Sequence, residues 1–339
     1  MPAPNYNLAE SQKLNLPLLL KPKDCKGRTF VVTGANSGIG YDCAKHLVQL
    51  SASRVIITVR DQERGNETKA RLEAETGREG VVDVRLLNLT SFDSVRTFVK
   101  KLEAEVDRVD GVVANAGTSN GVWVENEGIE GNLAVNLFAN LLLLALMVPY
   151  LKASGQKFGF TPHFTLVGSI GPFVAPKSPL DGVDRNNILA DLNDRKKRDG
   201  PDMSPSYTFS KLFLLFAVRQ LALRSPAADT GVIINVTEPG MCKTSLTKNL
   251  SWVTRLITWI SLKFLGRTPE MGSRAVLAGL ALGPACHGSF VSDCEVHDDR
   301  YPDWAANEDG QAWQKRVWEE VAGKLEQIEP GCLGWIKPN

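Results

Sequence analysis

TFVVTGANSGIG, residues 29–40, begins as an apolar, β-branched run and turns abruptly into glycines. The run reads as a strand; Gly34, Gly38 and Gly40 follow at once, and a helical pattern takes over near 39–51. A strand that passes through a tight glycine turn into a helix presents unpaired backbone N–H groups and a positive dipole end at one point, which suits a pyrophosphate. Three glycines alone are weak evidence, and an ordinary strand–helix turn is the alternative. Placed between strand and helix in a first βαβ unit, they point to a nucleotide, with Asn36, Ser37 and Ile39 as loop residues beside it.

Outward from this turn, apolar runs alternate with helical patterns. Strands are expected at 29–33, 54–59, 81–87, 109–115, 163–168 and 231–236, with a short seventh at 288–292. Helices are expected near 39–51, 62–76, 91–106, 128–153 and 205–224, and another opens at Thr268-Pro269-Glu270, where Thr268 caps and Pro269 sits in the first turn. Trp313, Val317, Val321 and Leu325 recur four residues apart within 307–326, which predicts a helix docked on the body. Alternation of this kind gives an α/β fold: one doubly wound, Rossmann-type domain whose parallel sheet has about seven strands flanked by helices. An arm at 1–27 precedes the domain at 28–300, and a helical extension at 301–339 follows it. Within the domain, 171–204 is an irregular substrate-side segment and 245–265 an apolar one.

Composition narrows the function. The formal net charge is +1, which offers nothing to a nucleic acid. Six scattered cysteines read as reduced thiols in a cytoplasmic protein. His46, His163, His287 and His297 form no metal spacing, so no metal is expected. The apolar stretch 133–151 carries Asn136 and Asn140 and ends at Pro149, a buried helix rather than a transmembrane span.

The second strand ends at Val59 and is followed by Arg60. A carboxylate at this point accepts from the ribose 2′-OH of NAD, whereas a guanidinium matches the 2′-phosphate of NADP. Arg60 therefore favours NADP over NAD, with Asp61 one residue on as the complication.

The glycine spacing T-G-x-x-x-G-x-G resembles that of the short-chain dehydrogenase/reductase family, and the resemblance runs through almost the whole chain. Asn88-Leu89 stands where the family has Asp-Leu against the adenine. Asn115-Ala116-Gly117 matches its N-A-G motif, Asn136 its active-site asparagine and Ser169 its catalytic serine. Tyr207 and Lys211 match Y-x-x-x-K, and Pro239-Gly240 with Thr244 matches the segment that closes over the nicotinamide. RTPEMGSRAV (267–276) and HGSFVSDCE (287–295) are similar to the C-terminal region of retinol dehydrogenase and WW-domain oxidoreductase relatives, fungal ones above all. The resemblance implies a single Rossmann-type domain, frequently dimeric, so a homodimer is expected.

The spacing of Tyr207 and Lys211 says little by itself, because Tyr41 and Lys45 repeat it. Position separates the two: Tyr41 lies on the first helix at the pyrophosphate end, and a structural role is expected for it. An ordinary phenol has a pKa of about 10 and is a poor acid–base at neutral pH. A lysine one turn along favours the phenolate, with up to ~4 kcal/mol of attraction at about 4 Å and an effective dielectric of about 20. In the family, Lys211 also bonds the nicotinamide ribose, Ser169 holds the substrate oxygen, and Asn136 positions a water that links Lys211 to solvent.

Leu246, Leu250, Val253, Ile257, Ile260 and Phe264 repeat every three or four residues. They read as a core helix, as a lid over a hydrophobic substrate, or as a weak membrane-surface contact. The leading function is NADP(H)-dependent interconversion of a ketone or aldehyde and an alcohol on a hydrophobic small molecule, in specialised metabolism. The alternative is a non-redox use of the scaffold, as a regulator or an isomerase or cyclase.

Overall fold

In a computed structural model of the chain, which describes residues 7–174, 178–200, 203–244 and 262–336, the opening run is strand β1 (Thr29–Thr33), buried at every position. Val31 packs into one hydrophobic cluster, whereas Phe30 and Val32 pack into another on the opposite face. The same split recurs on β2 (Arg54–Val59), where Ile56 opposes Val55 and Ile57. A strand covered on both faces needs apolar residues at successive positions, which is why the sequence shows runs there and not alternation.

Beside them lie β3 (Val82–Leu86) and β4 (Gly111–Ala114); a small separate hairpin, β5 (Glu125–Asn126) and β6 (Ile129–Glu130), follows in the chain. With β7 (His163–Val167), β8 (Ile233–Glu238) and β9 (Phe290–Ser292), the main sheet runs β9-β8-β7-β4-β1-β2-β3, all parallel. Seven strands were expected, and the sheet has eight. After β9 the chain turns back and adds β10 (Glu295–Val296) as an antiparallel edge. Asp293 and Cys294 make that turn at φ 50° and 70°, and no glycine announces it in the sequence.

Helices α1 (Gly38–Gln49), α2 (Gln62–Thr76), α3 (Phe92–Glu105), α4 (Asn140–Phe158), α5 (Ser204–Arg224), α6 (Pro269–Ala281) and α7 (Glu308–Ile328) flank the sheet. α1 and α6 meet on one face, and α3, α4, α5 and α7 share the core of the other. Thr268 caps α6 by accepting from the Met271 amide at 3.1 Å, with Pro269 in the first turn as expected. Trp313, Val317, Val321 and Leu325 are buried on α7. The segment at 171–204 forms short helices at Gly171–Val174, Ile188–Leu192 and Arg195–Arg198. The second is anchored by Ile188 and Leu189 amides that donate to Glu320 of α7 at 3.1 and 2.8 Å. Residues 245–261, most of the apolar stretch that reads three ways, lie outside the described residues.

Two expectations about 128–153 need correction. The helix does not end near 153 but runs through Pro149 to Phe158. Proline lacks the N–H that would bond Ala145, and the indole N–H of Trp335 takes that carbonyl instead, at 3.0 Å. The first turns are also not α-helical: Leu133–Ala139 is a π-helical stretch. Among the described residues, Leu133–Phe158 is the one helical run long and apolar enough to cross a membrane, and it is packed inside the fold.

α6 approaches the sheet at Gly279, where an added Cβ would lie 2.6 Å from Asn235 Oδ1, 2.6 Å from Thr237 Cγ2 and 2.7 Å from Thr165 Cγ2. Alanine normally gains about 1 kcal/mol over glycine in a helix, but overpacking against a close-packed sheet costs about 1–3 kcal/mol. Gly279→Ala is therefore expected to lower the urea midpoint; a raised midpoint would show that α6 can move off the sheet.

Candidate active site

The sheet order reverses direction between β1 and β4, so their following helices leave to opposite faces and a crevice opens beyond their carboxyl ends. Asn115, just past β4, ties this crevice together: its Nδ2 donates to the carbonyls of Thr33 at 2.9 Å and Gly34 at 3.3 Å. The Ala116 amide donates to Thr33 Oγ1 at 2.9 Å. Gly34 and Gly38 have φ 65° and 58°, values that favour glycine. Gly40 is needed for space, since a Cβ there would sit 2.5 Å from both Asn115 Nδ2 and the Gly34 carbonyl oxygen. Asn36 and Ser37 are exposed on the turn, and Ser37 stands at the N-cap of α1 without a side-chain capping bond. This is a glycine cradle at a helix start, which a pyrophosphate fits.

At the adenine end, Arg60 is exposed and pairs with no described residue. Asp61 is already engaged: it caps α2 by accepting from the Arg64 amide at 2.9 Å. Asn88 Oδ1 accepts from the Thr90 amide at 3.2 Å and the Thr90 hydroxyl at 2.9 Å, which shapes the turn after β3, and Leu89 is buried in the core.

The closing segment returns over the same turn. Thr244 lies over Gly38, since a Cβ there would meet Thr244 Cγ2 at a tight 3.3 Å. Ile39, Pro239 and Cys242 surround the same glycine of α6, Gly272. Gly240, at φ 79°, donates its amide to Glu238 Oε2 at 2.7 Å.

Residues of this loop that sequence reasoning missed come from far away in the chain. The N-terminal arm supplies Gln12, whose Oε1 accepts from the Met241 amide at 3.0 Å. Arg267 is buried, donates to the Pro239 carbonyl at 3.3 Å and pairs with Asp293 at 2.5 Å. Burial pushes the Asp293 carboxyl up, but hydrogen bonds from Arg267 and Ser11 outweigh it and hold the group below the usual range. Nothing in the sequence joins positions 12, 241, 267 and 293; only the return of the chain does.

The four expected catalytic residues converge. Ser169 lies near the Tyr207 phenol, near enough to oppose the rise in its pKa, and its Oγ accepts from the Gly171 amide at 3.0 Å. Lys211 is buried, and its Nζ donates to the Val167 carbonyl at 2.6 Å. Gly117 brings the backbone against both neighbours, since a Cβ there would lie 2.8 Å from Asn136 Oδ1 and 3.7 Å from Lys211 Nζ. Asn136 Nδ2 donates to the Thr118 carbonyl and to Ser210 Oγ, each at 2.9 Å, while its Oδ1 accepts from the Thr118 amide at 2.8 Å.

The electrostatics differ from the expectation that Lys211 favours the phenolate. Its Nζ is 6.0 Å from the centroid of the Tyr207 ring and is bonded elsewhere. Burial raises the Tyr207 pKa, with nearby Ser169 opposing, and burial lowers Lys211 to about 8. The phenol is thus held protonated, beside an ammonium ready to give up its own proton. The look-alike pair behaves differently: Tyr41 is buried under the Arg71 guanidinium, 3.6 Å from its ring centroid, and Lys45 pairs with Glu75 at 2.7 Å.

Comparison with known proteins agrees with this layout. The family model for short chain dehydrogenase matches residues 28–159. The short chain dehydrogenase/reductase dmxR8 of Cryptosporiopsis sp. (strain 8999) is 35% identical over 311 residues, which cover 90% of this chain and 92% of that one. Among solved structures, the Pseudomonas aeruginosa RhlG/NADP active-site complex aligns with a TM-score of 0.59 at 23% identity, covering 80% of this chain and 97% of that one. The 3-ketoacyl-(acyl-carrier-protein) reductase from Brucella melitensis complexed with NADH aligns with a TM-score of 0.57 at 19% identity, covering 78% and 96%. These two share the fold, and between them hold either form of the nicotinamide cofactor. Sheet order, glycine cradle, the Ser169–Tyr207–Lys211 cluster and near-full-length similarity together make this chain a fungal-type member of the short-chain dehydrogenase/reductase family.

Proposed function

We propose that the chain interconverts a ketone or aldehyde and an alcohol on a hydrophobic small molecule, using NADP(H), in fungal specialised metabolism. The observation that carries this reading is the clustering of Ser169, Tyr207, Lys211 and Asn136: Asn136 Nδ2 donates to Ser210 Oγ, which donates to the Tyr207 carbonyl, Gly117 packs between Asn136 and Lys211, and Ser169 lies near the Tyr207 phenol. Two neighbouring O–H groups can both donate to a single oxygen placed between them, and a substrate carbonyl oxygen is such an acceptor.

Bound NADPH supplies the hydride to the carbonyl carbon. Ser169 donates a hydrogen bond to the substrate oxygen, and Tyr207 gives that oxygen its proton as the C–H bond forms. The resulting phenolate is restored by a proton relayed from Lys211, whose pKa of about 8 lies close to working pH. Lys211 is then recharged from solvent along the side where Asn136 and Gly117 approach it. Oxidation of the alcohol runs the same steps backwards.

The preference for NADP is supported by the contrast between Arg60, exposed and unpaired among the described residues, and Asp61, committed to capping α2. An intracellular setting is supported by the six unpaired cysteines, with Cys25 and Cys242 pushed up to about 12 by burial.

Three outcomes are expected. Tyr207→Phe lowers NADPH-dependent carbonyl reduction by about 10²–10⁴-fold; full turnover in that variant would defeat the assignment, and a product of unchanged mass would favour isomerisation instead. In fluorescence titration NADPH binds more tightly than NADH, and Arg60→Ala removes a preference of about tenfold or more, the worth of one charge-assisted hydrogen bond at ~1.5–3 kcal/mol. The pH profile of kcat/KM for reduction falls as pH rises through about 8, because Lys211 loses the proton it must relay. Lys211→Arg, which holds its proton too tightly to relay it, is expected to slow reduction and to abolish that limb in the residual activity; a limb unchanged in the variant would assign it to another group.

A further inference from the structure

We propose that Glu130 is a positioning residue for the reaction: acting through Ser206, it holds Tyr207 in register with Asn136. The inference rests on the catalytic reading above, but not on the substrate.

Glu130 ends β6 and is fully buried. Its Oε2 accepts from the amides of Asn132 and Leu133, each at 3.0 Å, at the start of the π-helical stretch that carries Asn136. The same oxygen also accepts from the Ser206 hydroxyl on α5, while Oε1 accepts from Asn132 Nδ2 at 3.0 Å. These four donors are all uncharged. Taking a carboxyl group out of water is costly even when its hydrogen bonds are made. Capping a helix start does not require that cost, since an exposed serine or asparagine does it. What the longer carboxyl side chain adds is reach: one group joins the Asn136 segment to the residue preceding Tyr207.

A second tie lies one turn further along. Asn136 Nδ2 donates to Ser210 Oγ at 2.9 Å, and that hydroxyl donates to the Tyr207 carbonyl at 2.7 Å. Ser206 and Ser210 therefore bracket Tyr207 on α5, and their partners, Glu130 and Asn136, bracket the start of the facing segment. A single tie leaves a helix free to rotate or slide about it, whereas two ties fix both. Asn132 closes the frame by accepting from the Asn120 amide at 2.9 Å, next to the Thr118 backbone that holds Asn136. Proton transfer is steep in distance and angle, and a shift of about 1 Å costs about 100-fold in rate.

The test uses the full chain with its five tyrosines replaced by fluorotyrosine. The Tyr207 fluorine line is identified by its loss in Tyr207→Phe. Ser206→Ala and Glu130→Gln are each expected to shift or broaden that line and leave those of Tyr41, Tyr150 and Tyr301 in place, and Ser206→Thr to restore it. With NADPH and phenanthrenequinone, the first two variants are expected to lose about ten- to a hundredfold in kcat per NADPH-binding site, with KM little changed. The double variant is expected to be no slower than the slower single one, because both remove the same tie. A Tyr207 line unmoved in both variants, equal movement of all lines, or additive losses would each overturn the proposal. If Glu130→Gln does not fold, Ser206→Ala decides alone. Retained turnover in Tyr207→Phe would defeat the catalytic reading instead, and the fluorine line separates the two failures.

Discussion

The amide of Asn115, donating to the carbonyls of Thr33 and Gly34 across the gap between β4 and β1, is the tie on which the site depends. At this gap the two strands part company with their helices, so ordinary ladder bonds stop and backbone carbonyls face the crevice. Asn115 satisfies two of them and fixes the glycine turn at the height where α1 begins. The next residues carry the effect onward: the Ala116 carbonyl accepts from Asn140 Nδ2 at 3.2 Å, and Gly117 lets the chain pass between Asn136 and Lys211. One short segment thus sets the distance between the phosphate cradle and the proton-transfer groups.

That geometry places polar groups where burial works against their charged forms. Among the described residues the Lys211 ammonium bonds a backbone carbonyl and makes no ion pair, and the Tyr207 phenol has Ser169 nearby. A lysine so placed is easily discharged, and a phenol so placed keeps its proton. Both tendencies suit a relay that donates, and both oppose stability, as is common where function demands a polar group in a dry place. The ties from Glu130 and Asn136 add rigidity to this arrangement, because among the described residues no ion pair holds Tyr207 or Lys211.

Much of the fold was legible. Apolar runs at 29–33, 54–59 and 231–236 mark strands covered on both faces, and the turn at Gly34, Gly38 and Gly40 marks where a helix begins under a backbone that needs space. Asn136, Ser169, Tyr207 and Lys211 were legible through resemblance, not through spacing, since Tyr41 and Lys45 share the spacing, with Tyr41 buried against Arg71 and Lys45 paired with Glu75. β10 was missed because its turn uses Asp293 and Cys294 at positive φ without a glycine to signal them. The device that lets α4 run through Pro149 was not legible, because the Trp335 indole that takes the freed carbonyl comes from the far end of the chain.

Sequence by itself determined the class of fold and the glycine cradle, because each is written in residues close together or in a local pattern, and it pointed to the side chains proposed to react through resemblance. Tertiary structure alone decided what those side chains feel. Burial lowers the Lys211 pKa to about 8 and its ammonium bonds a backbone carbonyl rather than the phenol, Asp61 is taken up by a helix cap and leaves Arg60 unopposed, and Glu130 reaches Ser206. Each of these outcomes depends on desolvation or on a contact between distant segments, and neither can be read from neighbours in the chain.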